Sequence, residues 1–463
     1  MSVLPAPFEG VVKAYDVRGR VPERLDAAMV RALGAAFADE TGIADGAGAA
    51  VVGRDMRASS PELADALADG LRARGADVVD IGLASTDMLY AASGRLDLPG
   101  VMITASHNPA ADNGLKLCRA GARPIGLETG LRAIAERAAS LLDRIPGAAS
   151  AGRRTERDFL GEYAAMLHAL APVGGRRLRV VVDAGNGMAG HTVPAVLGPL
   201  DLELTGLYLE LDGTFPNHEA NPLDHSTLVD LQAAVREHGA DVGLAFDGDA
   251  DRCFVIDERG DVVPPSAITA LVAARHLDRE PGATILHNVI CSRAVPEIVR
   301  EHGGEPVRTP VGHSLIKAEM ARTGAVFGGE HSGHFYFREF HLADSGMLAA
   351  LHVLGALAED ERSASALLAQ YSRYAASGEI NTTVDDAADV IEQVAAAYAH
   401  HDQDRMDGLT VSADAWWFNL RASNTEPLLR LNVEGADAAT MERVRDEVLG
   451  LVRGTRTADE GTT

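Results

Sequence analysis

PELADALADGLRARGADVVDIG, residues 61–82, is an Ala/Leu-rich helical stretch that runs into a short apolar strand, and it decides the fold class. The same rhythm precedes it. RLDAAMVRALGAAFADET (24–41) reads as an amphipathic helix, and GAAVVGRD (48–55) as a buried strand that ends in charge. Helix alternating with a strand apolar on both faces is the pattern of an α/β protein.

The rhythm continues C-terminally. RLRVVVDAGNGMAG (177–190) is a strand entering a glycine-rich turn, followed by a helix at HTVPAVLGPL (191–200). DVGLAFDGDADR (241–252) is a strand ending in a polar loop, and SAITALVAARHL (266–277) and AVPEIVREHGG (294–304) are helices. The last hundred or so residues differ. A helix at VIEQVAAAYAH (390–400), two strands joined by a polar loop in WWFNLRASNTEPLLRLNVEG (416–435) and a helix at TMERVRDEVLGLVRG (440–454) suggest a small α+β domain. The expected organisation is an α/β domain at 1–152, a second at 153–257, a third at 258–370, an α+β domain at 371–454 and a disordered tail at 455–463.

Composition excludes several functions. The 463 residues carry 42 basic and 67 acidic side chains, a net charge of −25. That argues against a nucleic-acid partner, which needs a basic face, and against adhesion to anionic membranes. Of the basic residues only Lys13, Lys116 and Lys317 are lysines, all within a few residues of the motifs below. Three cysteines without metal-site spacing, no signal peptide and no membrane-length apolar run lead to the expectation of a cytoplasmic protein.

Four polar loops carry the candidate chemistry. In TASHNPAADNGLK (104–116), Ser106 sits on what reads as an exposed turn, either as a turn residue or as the carrier of a reactive group. In DGDADR (247–252), Asp247, Asp249 and Asp251 can fold around one hard cation. An EF-hand would have Glu258 at its twelfth position but needs Gly where Arg252 stands, and strands rather than helices flank the loop, so a Mg²⁺ site is the better reading. In GEHSGH (329–334), Glu330 and Ser332 suit sugar hydroxyls, while His334 reads equally as a proton carrier or a structural histidine. In RASNTEP (421–427), a guanidinium, two hydroxyls and an amide form a donor-rich turn suited to phosphate.

Together and in this order, the loops resemble those of the α-D-phosphohexomutase superfamily, closest to its bacterial phosphomannomutase/phosphoglucomutase branch. The likeness runs from KAYDVRG (13–19) to about Arg453 and includes GTFPNHEANPL (213–223) and TPVGHSLIK (309–317). It implies three related α/β mixed-sheet domains and a smaller C-terminal α+β domain, each giving one loop to a central cleft. It implies that Ser106 is phosphorylated and joins Asp247, Asp249 and Asp251 in holding one Mg²⁺. By the same resemblance Arg18, Lys116, His107, His334 and Arg252 serve catalysis. Glu330, Ser332, His313, Arg421, Ser423, Asn424 and Thr425 bind substrate. The proton acceptor is His334, Lys116 or His313.

The reaction so implied interconverts mannose 6-phosphate and mannose 1-phosphate through a hexose 1,6-bisphosphate, which is also the activator, with glucose phosphates as further substrates. The partner is a small hexose phosphate, with no nucleic acid or membrane, and the assembly is a monomer or homodimer. A phosphoglucosamine mutase is an alternative, disfavoured by Asn424, where that branch has Gly. A Mg²⁺-dependent sugar phosphatase using the same serine is another. Some relatives carry a lysine shortly before Cys291 and Ser292, where this chain has Val289 and Ile290; Arg293 is the nearest cation.

Overall fold

The computed structural model describes residues 4–423 and 428–454, the side chains of residues 313 and 314 excepted. The chain forms two compact units: residues 1–263 with 332–367, and 264–331 with 368–463.

The first unit holds two mixed sheets. One has the strand order Asp16–Arg20, Asp112–Arg119, Gly100–Ile103, Ala49–Arg54, Asp77–Leu83, Arg154–Glu156. Its inner strands Gly100–Ile103, Ala49–Arg54 and Asp77–Leu83 are parallel, as buried βαβ connections require, and Asp112–Arg119 returns antiparallel. The helix expected at 24–41 spans Ala27–Thr41; Asp26 caps it by accepting the Met29 N–H, and Gly42 ends it in the left-handed region. It crosses the helix Ser60–Ala73 at very close range. A Cβ on Gly34 would strike the Leu67 carbonyl, and one on Gly70 the Arg31 carbonyl. The two glycines thus let Leu33, Phe37, Leu67 and Leu71 enter one fully buried core. The edge strand Arg154–Glu156 was not expected as a strand. Its three exposed residues have no apolar pattern, and Arg154 ties it down through Asp80 and Asp65.

The second sheet runs Val262–Val263, Cys253–Asp257, Val242–Phe246, Leu178–Asp183, Leu202–Leu207. Val242–Phe246 pairs parallel to Leu178–Asp183 and antiparallel to Cys253–Asp257, so residues 247–252 form a tight connection at the sheet end. The helix expected at 191–200 spans Ala189–Val196. Residues 332–367 contribute the hairpin Phe335–Phe337 with Ala343–Asp344 and the wholly buried helix Gly346–Ala358.

The second unit contains the parallel strands Glu305–Thr309, Thr284–Asn288 and Phe327–Gly329 with the helices Pro265–Arg279, Ala294–Glu301 and His313–Thr323. Its C-terminal part is an antiparallel sheet in the order Ala375–Thr383, Leu428–Gly435, Trp416–Ala422, Leu409–Ser412, Asp402–Asp404, with the helices Ala387–Ala397 and Ala438–Gly454. Phe418, Leu420, Leu431 and Val444 lie in its core. This is the α/β class with a C-terminal α+β part that the sequence leads one to expect. Cys118, Cys253 and Cys291 are buried and, among the described residues, form no disulfide. Among the described residues no helix is long and apolar enough to cross a membrane.

Candidate active site

The serine loop leaves the fully buried strand Gly100–Ile103. Ser106 takes a left-handed backbone, with φ of 52°, which is uncommon for a residue with a Cβ. Its N–H donates to Thr104 Oγ1 at 2.9 Å. The expectation of an exposed serine is corrected: Ser106 is only 1% exposed. The turn is covered because the loop Asp247–Arg252 lies on it. Gly248 approaches so closely that a Cβ there would strike the Ser106 carbonyl. The Ser106 hydroxyl donates to Asp247 Oδ2 at 2.8 Å and lies 3.2 Å from His107 Nδ1.

Asp247, Asp249 and Asp251 are all buried, and one oxygen from each lies within 4.8 Å of the others. Lys116 Nζ bridges two of them, 2.6 Å from Asp249 Oδ2 and 2.5 Å from Asp251 Oδ2. Thr86 Oγ1 also donates to Asp249 Oδ2, at 2.5 Å. Among the described residues, Asp249 Oδ1 and Asp251 Oδ1 are buried oxygens with no hydrogen-bond partner. Three buried carboxylates this close together, two of them with an unpartnered oxygen, fit a hard dication such as Mg²⁺. Glu258, the residue an EF-hand would need, instead accepts from the Ser365 N–H at 2.8 Å and its hydroxyl at 2.5 Å.

The electrostatics follow from burial. Desolvation, then the charges of Asp251 and Asp249, push the Asp247 carboxyl up to about 7. Burial would raise Asp249 too, but the adjacent Lys116 ammonium outweighs it and holds that carboxyl below the usual range. Burial opposes the charge on Lys116, yet Asp249 and Asp251 outweigh it and keep the ammonium protonated. Burial, then Arg252 and Arg18, hold His107 well below its ordinary value and therefore neutral near pH 7.

Arg18, Arg252 and His334 converge on the same place. Arg18 Nε meets Asp16 at 2.7 Å, and its Nη1 donates to the Ala105 carbonyl at 3.1 Å and Asn108 Oδ1 at 2.9 Å. Arg252 Nε lies 3.5 Å from Asp247 Oδ2. His334 forms a backbone bridge with Arg252, and its Nδ1 is 3.0 Å from Asp344 Oδ2 and 3.8 Å from Asp251 Oδ1. Ser332 is partly buried in the same unit.

In the second unit, Glu330 is buried and accepts from Gly312 N at 3.2 Å and Asn288 Nδ2 at 3.4 Å. Arg421 ends the strand Trp416–Ala422 and pairs with Glu379 at 2.9 Å. The Ser423 N–H donates to the Leu428 carbonyl at 2.9 Å. His313 opens the helix His313–Thr323, but its side chain, like all of Asn424 and Thr425, lies outside the described residues. Arg293, the cation nearest Val289 and Ile290, spends its guanidinium on the carbonyls of Asp414, Ala413 and Trp416.

Sequence reasoning missed Thr86, Asp344, Asp87 and Arg57. Thr86 and Asp87 begin the helix Thr86–Leu96, where a cap-like Ser-Thr-Asp run reads as structural. For Arg57 the available signal was the charged end of the strand at 48–55.

Family models describing domains I, II, III and IV of phosphoglucomutase/phosphomannomutase match residues 10–143, 161–260, 264–374 and 379–451. The chain is 42% identical over 452 residues to a protein of Xanthomonas campestris pv. campestris described as "Phosphohexose mutases", covering 96% of this chain and 99% of that one. It is 39% identical to an Escherichia coli "Phosphomannomutase", covering 95% and 98%. The crystal structure of a phosphoglucomutase/phosphomannomutase family protein from Burkholderia thailandensis superposes with a TM-score of 0.87 at 33% identity, covering 97% of this chain and 98% of that one.

Proposed function

The chain belongs to the phosphoglucomutase/phosphomannomutase family of phosphohexomutases, and from that premise we propose that it interconverts mannose 6-phosphate and mannose 1-phosphate, with glucose phosphates as further substrates. The observation that carries the reading is the Ser106 hydroxyl, 2.8 Å from Asp247 beside the three carboxylates. As a phosphoserine, Ser106 transfers its phosphoryl group to the free hydroxyl of the bound monoester: the Ser106 Oγ–P bond breaks and a sugar O–P bond forms. The resulting hexose 1,6-bisphosphate turns end for end, Ser106 Oγ takes the other phosphoryl group as that group's sugar O–P bond breaks, and the freed sugar oxygen takes up the proton removed in the first step.

Such transfer needs mainly alignment and charge neutralisation. Asp247, Asp249, Asp251 and the Ser106 phosphate would hold Mg²⁺, which when bound offsets the charge on the phosphoryl oxygens. Arg18, Arg252 and the charged Lys116 add fixed positive charge around the same serine. His334 takes the hydroxyl proton. Its place supports this: an imidazole can carry a proton, and its Nδ1 lies 3.0 Å from Asp344 Oδ2 and 3.8 Å from Asp251 Oδ1 of the carboxylate cluster. Lys116, held as an ammonium between two carboxylates, is the poorer base. His107, uncharged, orients the Ser106 oxygen. Glu330, Ser332, His313, Arg421, Ser423, Asn424 and Thr425 hold the sugar and the phosphate that does not react. We further propose the four-segment division at 152/153, 257/258 and 370/371, a cytoplasmic setting, and activation by hexose 1,6-bisphosphate.

The test is intact mass and peptide mapping of the purified protein, joined to a coupled assay. Covalent phosphate on Ser106, refreshed by a hexose 1,6-bisphosphate, with isomerised hexose phosphate as the product, is the expected result. Free phosphate as the sole product would make the chain a phosphatase, and full turnover by Ser106→Ala would remove the reading altogether.

A further inference from the structure

Arg57 belongs to none of the four loops, yet its side chain is fully buried against the first of them. Nη2 donates to the carbonyls of Ser106 at 2.8 Å and Asn108 at 2.7 Å. Nη1 donates to the carbonyls of Pro109 at 2.7 Å and Asp112 at 2.9 Å. One guanidinium therefore gathers four carbonyls of a single turn, including that of the serine itself. Nε lies 3.3 Å from Asp55 Oδ2, which neutralises the buried charge, and the Arg57 N–H donates to Asp55 Oδ1 at 3.0 Å. The Phe215 ring packs on the guanidinium, 5.1 Å from its carbon to the ring centroid. Phe215 belongs to the segment GTFPNHEANPL, and Gly213 of that segment sits so close that a Cβ would lie 2.6 Å from Arg57 Cα.

Four fixed donors in one plane are a property of arginine that lysine does not share. The turn they hold contains Ser106 in a left-handed conformation that its own residue type does not favour. Without the four bonds, the turn is free to relax and carry the hydroxyl away from Asp247. We propose that Arg57 is a positioning residue for phosphoryl transfer, holding the Ser106 turn from behind so that Oγ stays in line with the carboxylates. The inference rests on Ser106 being the phosphate carrier. Displacement of the reacting oxygen by about 1 Å is enough to cost on the order of a hundredfold in rate.

The experiment compares Arg57→Lys with the parent and with Ser106→Ala, using mannose 1-phosphate and a hexose 1,6-bisphosphate and normalising rates to folded protein. Arg57→Lys is expected to lower kcat by about a hundredfold while KM stays within about threefold. It is also expected to raise the rate at which water strips phosphate from Ser106, relative to sugar turnover. In Arg57→Ala, added guanidinium ion should restore part of kcat. Parental kcat in folded Arg57→Lys would overturn the inference and leave the role of Ser106 intact. Failure of both Arg57 variants to give folded protein would overturn it too, because the residue would then serve folding alone. Turnover by Ser106→Ala would instead defeat the phosphoserine reading beneath it.

Discussion

Lys116 Nζ lies 2.6 Å from Asp249 Oδ2, a buried ion pair between residues 133 positions apart in the chain. The same ammonium reaches Asp251, so one lysine compensates two of the three carboxylates. Its removal strands buried negative charge. Lys116→Met is expected to destabilise the protein in EDTA by about 3–5 kcal/mol, measured by urea unfolding. Added Mg²⁺ should recover more stability in the variant than in the parent. A variant as stable as the parent in EDTA would show that the pair contributes little.

Asp249→Asn removes one anionic ligand while Lys116 keeps Asp251 and Thr86 keeps an oxygen acceptor. The Mg²⁺ concentration for half-maximal activity should rise by about tenfold or more, since site charge sets affinity for a hard cation. The far-UV circular dichroism should not change. An unaltered Mg²⁺ titration would place the ion elsewhere.

Thr86→Val keeps the shape of the side chain and deletes its hydroxyl. Asp249 Oδ2 then loses a charge-assisted hydrogen bond in a fully buried site. A loss of about 1.5–3 kcal/mol in unfolding free energy is expected. The Thr86 N–H, which donates to the Asp249 carbonyl at 3.0 Å, is untouched, so the backbone register should persist.

Asp87 supplies a pH dependence. Burial pushes its carboxyl up to about 6, against the hydrogen bonds it accepts from Ser345, Ser85 and Tyr163. In the unfolded chain it titrates near 3.9, so between about 4 and 6 the folded state binds more protons. Stability from this group therefore falls as pH rises through that window and is gone above about 6, a change on the order of 3 kcal/mol. Asp87→Asn cannot titrate, and its stability should fall less than that of the parent between pH 4 and 7. Urea unfolding across that range in EDTA checks it; parallel curves for the two proteins would refute it.

Much of the fold was legible because burial imposes a period on the residues. The stretch 61–82 shows its helix and strand, and Asp26 and Gly42 mark the ends of the helix before it. The edge strand Arg154–Glu156 was not legible, because pairing and ion pairs hold it rather than apolar side chains. The candidate site was legible where chemistry is dense. Three aspartates at alternate positions, or Ser-His-Asn-Pro after an apolar run, are hard to explain by packing alone. The exposure of Ser106 was misread for the converse reason: a polar turn looks solvated until another segment covers it, and here Gly248 allows that cover.

From the amino-acid order alone came the α/β class, the family, the loops and the types of group they offer. Only the tertiary structure decided that Lys116 and Thr86 share Asp249, that Asp344 faces His334, and that Arg57 grips the turn of Ser106 from behind. The physical reason is range. Hydrophobic period and turn chemistry act between near neighbours in sequence. A hydrogen bond such as that from Thr86 to Asp249, 163 residues away, exists only once the packed sheets have brought the two atoms within 2.5 Å.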